Sequence, residues 1–244
     1  MNGLVLTAVL YGIAASSALV IGALIGARFT PPRQVTGVLL AFASGALISA
    51  LAFELFEDAF ELGGPLRSGL GLLAGAAAFV VADALLDRHI AGHSGPNQRE
   101  VAGAGGIGWA LLAGVTLDGV PENLALGVSL VEGASVTLLV ALFASNLPEA
   151  LVGAVAMREE GRSFRVVIGI WFACAVLLAL GVVAGRLLAG GLDDAVLAVT
   201  LGFAGGAVLA SLADTLMPEA FAEGRPFNAF ATAAGFFLSY VLAA

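Results

Sequence analysis

The sequence predicts an all-α integral membrane protein: eight transmembrane helices in a three-two-three bundle built on an inverted repeat, with both termini extracellular or periplasmic. Three observations predict it. Hydrophobic residues make up 60% of the 244 and charged residues only 11%, too little charge to keep a domain of this length soluble. The apolar residues fall into eight runs, each close to the ~20 residues that cross a bilayer core. Two distant runs also repeat one another, which orders the rest. The net charge of -8 includes acids inside the apolar runs, and nucleic acid is not an expected partner.

Taken in order, the runs lie near 4–27, 35–57, 69–88, 107–131, 134–157, 165–188, 195–217 and 227–243. The first lacks the basic start of a secretory leader, and Arg28 and Arg33 follow it instead of preceding it, so a spanning helix is expected there. Pro31-Pro32, Gly63-Gly64-Pro65, the polar stretch 89–106, Glu132-Gly133, residues 158–162, residues 190–194 and residues 223–226 break the runs. Nothing is left for a soluble domain. A single transmembrane domain is expected, with repeat 1 at about 1–88, a central helix pair at about 107–157 and repeat 2 at about 165–244.

All ten basic residues are arginines, and eight of them (28, 33, 88, 99, 158, 162, 165 and 225) follow odd-numbered spans; Arg67 and Arg186 are the exceptions. By the positive-inside rule the loops after odd spans are cytoplasmic, which puts both termini outside. The repeat aligns Phe42–Ala52 of span 2 without gaps on Phe203–Ala213 of span 7 and continues to Ala59-Phe60 against Ala220-Phe221. Spans 3 and 8 share a weaker Ala-Gly step, Ala74-Gly75 against Ala234-Gly235. Because related spans are an odd number of crossings apart, the copies run in opposite senses, as in secondary transporters whose sites lie near the midplane.

The central pair carries the chemistry. Span 4 contains Asp118-Gly119-Val120-Pro121-Glu122-Asn123 and span 5 echoes it with Ser145-Asn146-Leu147-Pro148-Glu149-Ala150. Asp118 and Glu122 lie four apart on one helix face, as do Ser145 and Glu149, with Asn146 beside them. Pro121 and Pro148 donate no hydrogen bond to the carbonyls of Leu117 and Ala144, so each helix frees a backbone oxygen near its acid. Buried acids are costly in lipid. Facing one another, these groups form a cage of oxygens suited to a cation.

Other acids are read more cautiously. Glu54 in span 2 and Asp214 at a comparable depth in span 7 are candidate accessory sites, whereas Glu57, Asp58 and Glu219 read as interfacial charges and Asp83 as a snorkelling or ion-paired group at the cytoplasmic edge. His89 and His93, four apart, have a spacing that can share a metal, but a solvated loop is the simpler reading. Cys174 reads as a small buried apolar residue.

The paired Pro-Glu helices, the eight-run layout, the Phe-Ala-x-Gly start of the repeat and Met217-Pro218-Glu219-Ala220 resemble the ZIP (Zrt- and Irt-like protein) family of divalent metal transporters over nearly the whole chain. The resemblance implies a three-two-three arrangement with both termini outside and a one- or two-metal site on spans 4 and 5. By motif position, Asp118 stands where the family has its first histidine, Gly119 where it has asparagine, and Glu122 is retained. Ser145 replaces the second histidine, Asn146 takes the adjoining ligand position, and Glu149 is retained. With both imidazoles gone, an all-oxygen site moves away from Zn²⁺ toward harder ions such as Mn²⁺, Mg²⁺, Ca²⁺ or Fe²⁺.

The function expected is secondary transport of a divalent cation, Zn²⁺, Mn²⁺, Fe²⁺ or another, across the cytoplasmic membrane by alternating access. Asp118, Glu122, Asn146 and Glu149 are the expected ligands, Ser145 a weaker one, and Glu54 and Asp214 accessory. The ion is the cargo; no prosthetic group and no enzymatic activity are expected, and no nucleotide-binding motif is present. Membrane lipid and a second copy in a homodimer are the other expected partners. One triplet of helices is expected to move against the other. The alternatives are a proton-coupled carrier of a small solute and a non-transporting membrane sensor or scaffold.

Overall fold

The computed structural model describes residues 2–92, 107–131, 133 and 136–243. His93, Arg99 and Glu132 lie outside the described residues, as does most of the polar stretch between spans 3 and 4. Among the described residues all regular structure is helical: α1 (Asn2–Gly26), α2 (Arg33–Ala50), α3 (Glu57–Gly92), α4 (Ile107–Ser129), α5 (Val136–Glu159), α6 (Phe164–Ala189), α7 (Asp194–Ser211), α8 (Met217–Gly224) and α9 (Asn228–Ala243). Two π-helical segments, π1 (Leu51–Phe56) and π2 (Leu212–Leu216), join α2 to α3 and α7 to α8.

Five stretches among the described residues are long and apolar enough to cross a bilayer: Val5–Gly26, Arg33–Leu85, Val136–Glu159, Phe164–Ala189 and Asp194–Gly224. Large apolar side chains stand exposed around the bundle, among them Leu10 and Ile13 on α1, Leu70 and Leu73 on α3, Phe172 and Leu180 on α6, and Phe230 and Phe237 on α9. Their number is unworkable against water and ordinary against lipid. The chain is a helical, multi-pass membrane protein.

Arg33–Leu85 runs 53 residues, well over one bilayer crossing. It breaks at Gly64, whose backbone (φ 69°, ψ 179°) is open only to glycine, with Pro65 following inside the helix. The chain turns where Gly63-Gly64-Pro65 interrupts the apolar pattern, but the helix before the turn extends beyond residue 57. Likewise, the segment expected to end at 217 continues through π2 and α8 to Gly224. Both extensions have one cause: Glu57, Glu61, Glu219 and Glu223 are good helix formers, so charge does not end the helix where it ends the hydropathy.

α2 and α7 are each 18 residues long, and each passes directly into a π segment, at Leu51 and Leu212, the positions that the repeat alignment equates. They run in opposite senses. α8 ends where α2 begins: Arg33 meets Glu223 at 3.9 Å, Gln34 Nε2 donates to the Arg225 carbonyl at 3.0 Å, and Gly37 abuts Gly224. At the same end Arg28 lies 4.7 Å over the Phe164 ring and Arg158 hydrogen-bonds Thr30, so the loops after α1 and α5 meet there too.

Packing sorts the helices differently from the order along the chain. α1, α4, α5 and α6 form one interlocked group; α2, α3, α7, α8 and α9 form a second, made of two walls (α3 with α7, and α2 with α8 and α9) linked through the π segments and touching the first mainly through α2 and α9 on α5 and α4 on α7. α1 therefore packs with α5 and α6 and not with α2 and α3. The physical reason lies in the glycines. Gly22 and Gly26 let α1 sit on the backbone of Leu147 and Leu151 in α5, and Gly185 lets α6 sit on that of Leu124 in α4.

The second group is sealed the same way, twice. A Cβ on Gly75 would overlap the carbonyl oxygen of Phe203, and one on Gly206 that of Leu72. On the other side Gly235 meets the carbonyl of Phe42, and Gly45 that of Thr232. Each of these pairs is the repeat equivalent of one in the first set, so the weak Ala-Gly step of spans 3 and 8 marks a real contact. Replacing Gly75 or Gly235 by Val is expected to cost about 1–3 kcal/mol through overpacking. Gly169→Ala, where an added Cβ meets nothing within 4 Å, is expected to leave the melting temperature in detergent unchanged or slightly raised.

Candidate cation site

α4 and α5 both stay helical through their internal prolines, Pro121 and Pro148. That continuity keeps the spacing of the motif on one face. Asp118 and Glu122 of α4 are buried, with 5% and 1% exposure, and Ser145 and Asn146 of α5 are fully buried. Glu149 is half-buried with its Oε1 enclosed, and it lies within electrostatic range of Glu122 and Asp118, as Glu122 does of Asp118. The two Pro-Glu acids thus face a common interior.

What marks this interior is the number of polar atoms it leaves unpaired. Both carboxylate oxygens of Glu122, Oδ1 of Asp118, Oε1 of Glu149 and both amide atoms of Asn146 are buried without a hydrogen-bond partner. Among the described residues no arginine pairs with any of the three acids. A buried polar atom left unpaired costs of order 1–3 kcal/mol and an unpaired carboxylate more, so a cluster of this kind points to a charge-bearing occupant. Ser145 is less available: its hydroxyl donates to the Leu142 carbonyl at 3.1 Å, a back-bond within its own helix that leaves only its lone pairs.

Two contributors come from outside the motif. Thr215 in π2 places its hydroxyl 3.0 Å from Asp118 Oδ2 and 2.7 Å from the Ser211 carbonyl, so one proton serves two acceptors. Ser211, the last residue of α7, lies fully buried beside Asp118, its own hydroxyl unpaired. Sequence reasoning passed over both because hydroxyls in apolar helices usually bond their own backbone. The available signal was their spacing, four apart around Asp214, and π segments often mark functional positions.

The accessory acids do not join the buried group. Glu54 in π1 is half-buried and Asp214 in π2 is exposed, although Asp214 is close enough to act electrostatically on Asp118. Asp83, expected at the membrane edge, is half-buried and also in range of Asp118. Asn123 turns toward Gly181 of α6, its amide nitrogen donating to the Gly119 carbonyl at 2.8 Å. Among the described residues no three His, Cys, Asp or Glu side chains stand close enough to hold an ion by themselves. Amide and hydroxyl oxygens must therefore complete any coordination shell.

A cavity of about 310 Å³ opens at the arginine-rich end and leads inward beside α5, lined by Arg33, Thr36, Val155, Glu159, Glu219 and Glu223 among others. Glu219, read as interfacial from the sequence, lines this cavity and lies within electrostatic range of Glu149.

No protein-family model and no curated protein matches the chain.

If unpaired carboxylates are held here for a ligand, removing one does not weaken the apo fold. In chelator, Glu122→Gln and Glu149→Gln are expected to melt at or above the wild-type temperature, because a neutral amide costs less to bury than a lone charge. With Mn²⁺ at 100 times its Kd, wild type gains about 2.7 kcal/mol and both variants lose that gain, as read by thermal unfolding in detergent.

Proposed function

We propose that the protein is a secondary transporter that carries a divalent metal cation across the cytoplasmic membrane through the oxygen-lined interior between α4 and α5. The cluster of buried, unpaired oxygens on Asp118, Glu122, Asn146 and Glu149 carries this reading. Where water is excluded, carboxylates are neutralised by a proton or by a cation, and the unpaired amide oxygen of Asn146 beside them favours the cation.

Eight crossings follow if the long Arg33–Leu85 stretch counts as two segments divided at Gly64 and if α4 and α9 also span. The arginine-rich end is then cytoplasmic, with both termini on the far side. The resemblance to ZIP transporters agrees with this layout and with the paired Pro-Glu motif. The ion passes from the buried group past Glu149 and Glu219 to the cytoplasmic cavity. The α1, α4, α5 and α6 group, which contains the site, moves against the group formed by α2, α3 and α7–α9, since among the described residues the glycine-to-carbonyl contacts lie within each group and not between them. An all-oxygen ligand set favours Mn²⁺, Mg²⁺ or Fe²⁺ over Zn²⁺.

The test is uptake of radioactive Mn²⁺ and Zn²⁺ by proteoliposomes. Saturable Mn²⁺ uptake is expected, reduced at least tenfold in Glu122→Ala and Glu149→Ala variants that still purify as folded protein. An anomalous-scattering peak between α4 and α5 in crystals soaked with Mn²⁺ is the structural counterpart. Flux of a small solute driven by a proton gradient, with no metal binding, assigns the same carboxylates to proton relay instead.

A further inference from the structure

We propose that Thr215 and Glu54 take turns as partners of the cation-site helices: Thr215 holds Asp118 in the conformation described above, and in the opposite conformation Glu54 holds Ser145. The inference rests on alternating access as proposed above, but not on which ion is carried.

Two alignments bring these four residues together. The repeat sets Phe42 on Phe203, an offset of 161 residues, which equates Glu54 with Thr215. The Pro-Glu motifs set Pro121 on Pro148, an offset of 27, which equates Asp118 with Ser145. Glu54 and Thr215 occupy the same place in their halves, the fourth residue of a π segment that follows an 18-residue helix. Their helices make equivalent contacts, α7 with α4 and α2 with α5. The bond from Thr215 to Asp118 therefore has one repeat equivalent in the molecule, the pair Glu54 and Ser145. Chemistry fits the exchange. Each pair joins one hydroxyl to one carboxylate, with donor and acceptor swapped between the two helix groups.

The two halves are also out of register, which is what a molecule caught in one of two exchangeable states requires. Leu124 and Val128 of α4 line an apolar crevice of about 310 Å³ with Thr200 and Phe203 of α7. A superposable second half would put their equivalents, Leu151 and Val155, beside Leu39 and Phe42 of α2. They instead line the arginine-end cavity with Arg33 and Thr36, and Phe42 is faced by Ala141 and Ala144. The offset is about six residues along α2, nearly two helical turns or ~9 Å. Sliding the site-bearing group by that amount closes the cytoplasmic cavity and moves Ser145 along α2. Glu54, half-buried and with no hydrogen bond or ion pair among the described residues, is the acceptor that movement brings into use.

Cysteine pairs test the exchange in liposomes, in a Cys174→Ser background. Oxidation of the Asp118→Cys/Thr215→Cys pair and of the Glu54→Cys/Ser145→Cys pair is read as protection of both thiols from maleimide after denaturation. Both pairs are expected to cross-link. The first should leave a separate Val155→Cys reporter open to an impermeant thiol reagent applied from the arginine-rich side, and the second should block it at least tenfold. A Glu54/Ser145 pair that stays free while the reporter still changes reactivity on adding Mn²⁺ overturns the exchange and leaves transport standing. A reporter that never changes overturns both. Single substitutions decide the matter if a cysteine pair fails to fold. Thr215→Val should lower reporter reactivity about fivefold and Glu54→Leu should raise it by a similar factor, the equilibrium equivalent of one buried hydrogen bond. Shifts in the same direction overturn the proposal.

Discussion

The structure depends on the cost of burying carboxylates where there is no water to solvate them. Glu122 is almost wholly enclosed and neither of its oxygens has a partner; Glu149 and Asp118 each leave one oxygen in the same condition. A helix bundle gains little from hydrophobic contrast against lipid, so it has no large reserve of stability with which to absorb such groups. The helices that hold the acids must therefore be fixed by close contact, and the bundle supplies it through glycine-to-carbonyl packing on both sides of the site.

That packing divides the molecule. Around the acids, α1 lies on α5 and α6 on α4, backbone to backbone; beyond them, α2 with α9 and α3 with α7 make a second wall joined by the same device. Between the two, contacts run mainly through α2 with α5 and α4 with α7, and the hydrogen bond from Thr215 to Asp118 crosses the seam. Among the described residues the glycine-to-carbonyl contacts lie within each group and not across this seam, which leaves it the looser of the joints.

Much of this was legible in the sequence because the bilayer imposes simple rules. Run length gave the helices, Gly63-Gly64-Pro65 gave the turn at Gly64, and the arginines gave one end of the bundle, where Arg28, Arg33, Arg158 and Arg225 now sit together. The motif positions of Asp118, Glu122, Asn146 and Glu149 were readable from helical spacing. Long-range association was not. Nothing local says that α1 leaves its sequence neighbours for α5, or that Glu219 lines a cavity in range of Glu149. The π segments were equally hidden, because an extra residue in a turn leaves no mark on hydropathy, although it shifts every later side chain around the axis and so decides which way Thr215 faces.

The matched glycine seams also bear on how such a molecule evolves. In the exchange proposed above, two halves that lock by the same contacts in opposite senses would hold the two end states near equal energy, and a change confined to one half would tilt that balance as a weight tilts a scale. Drift in either copy is thus felt first as a bias in resting posture, long before it is felt as unfolding.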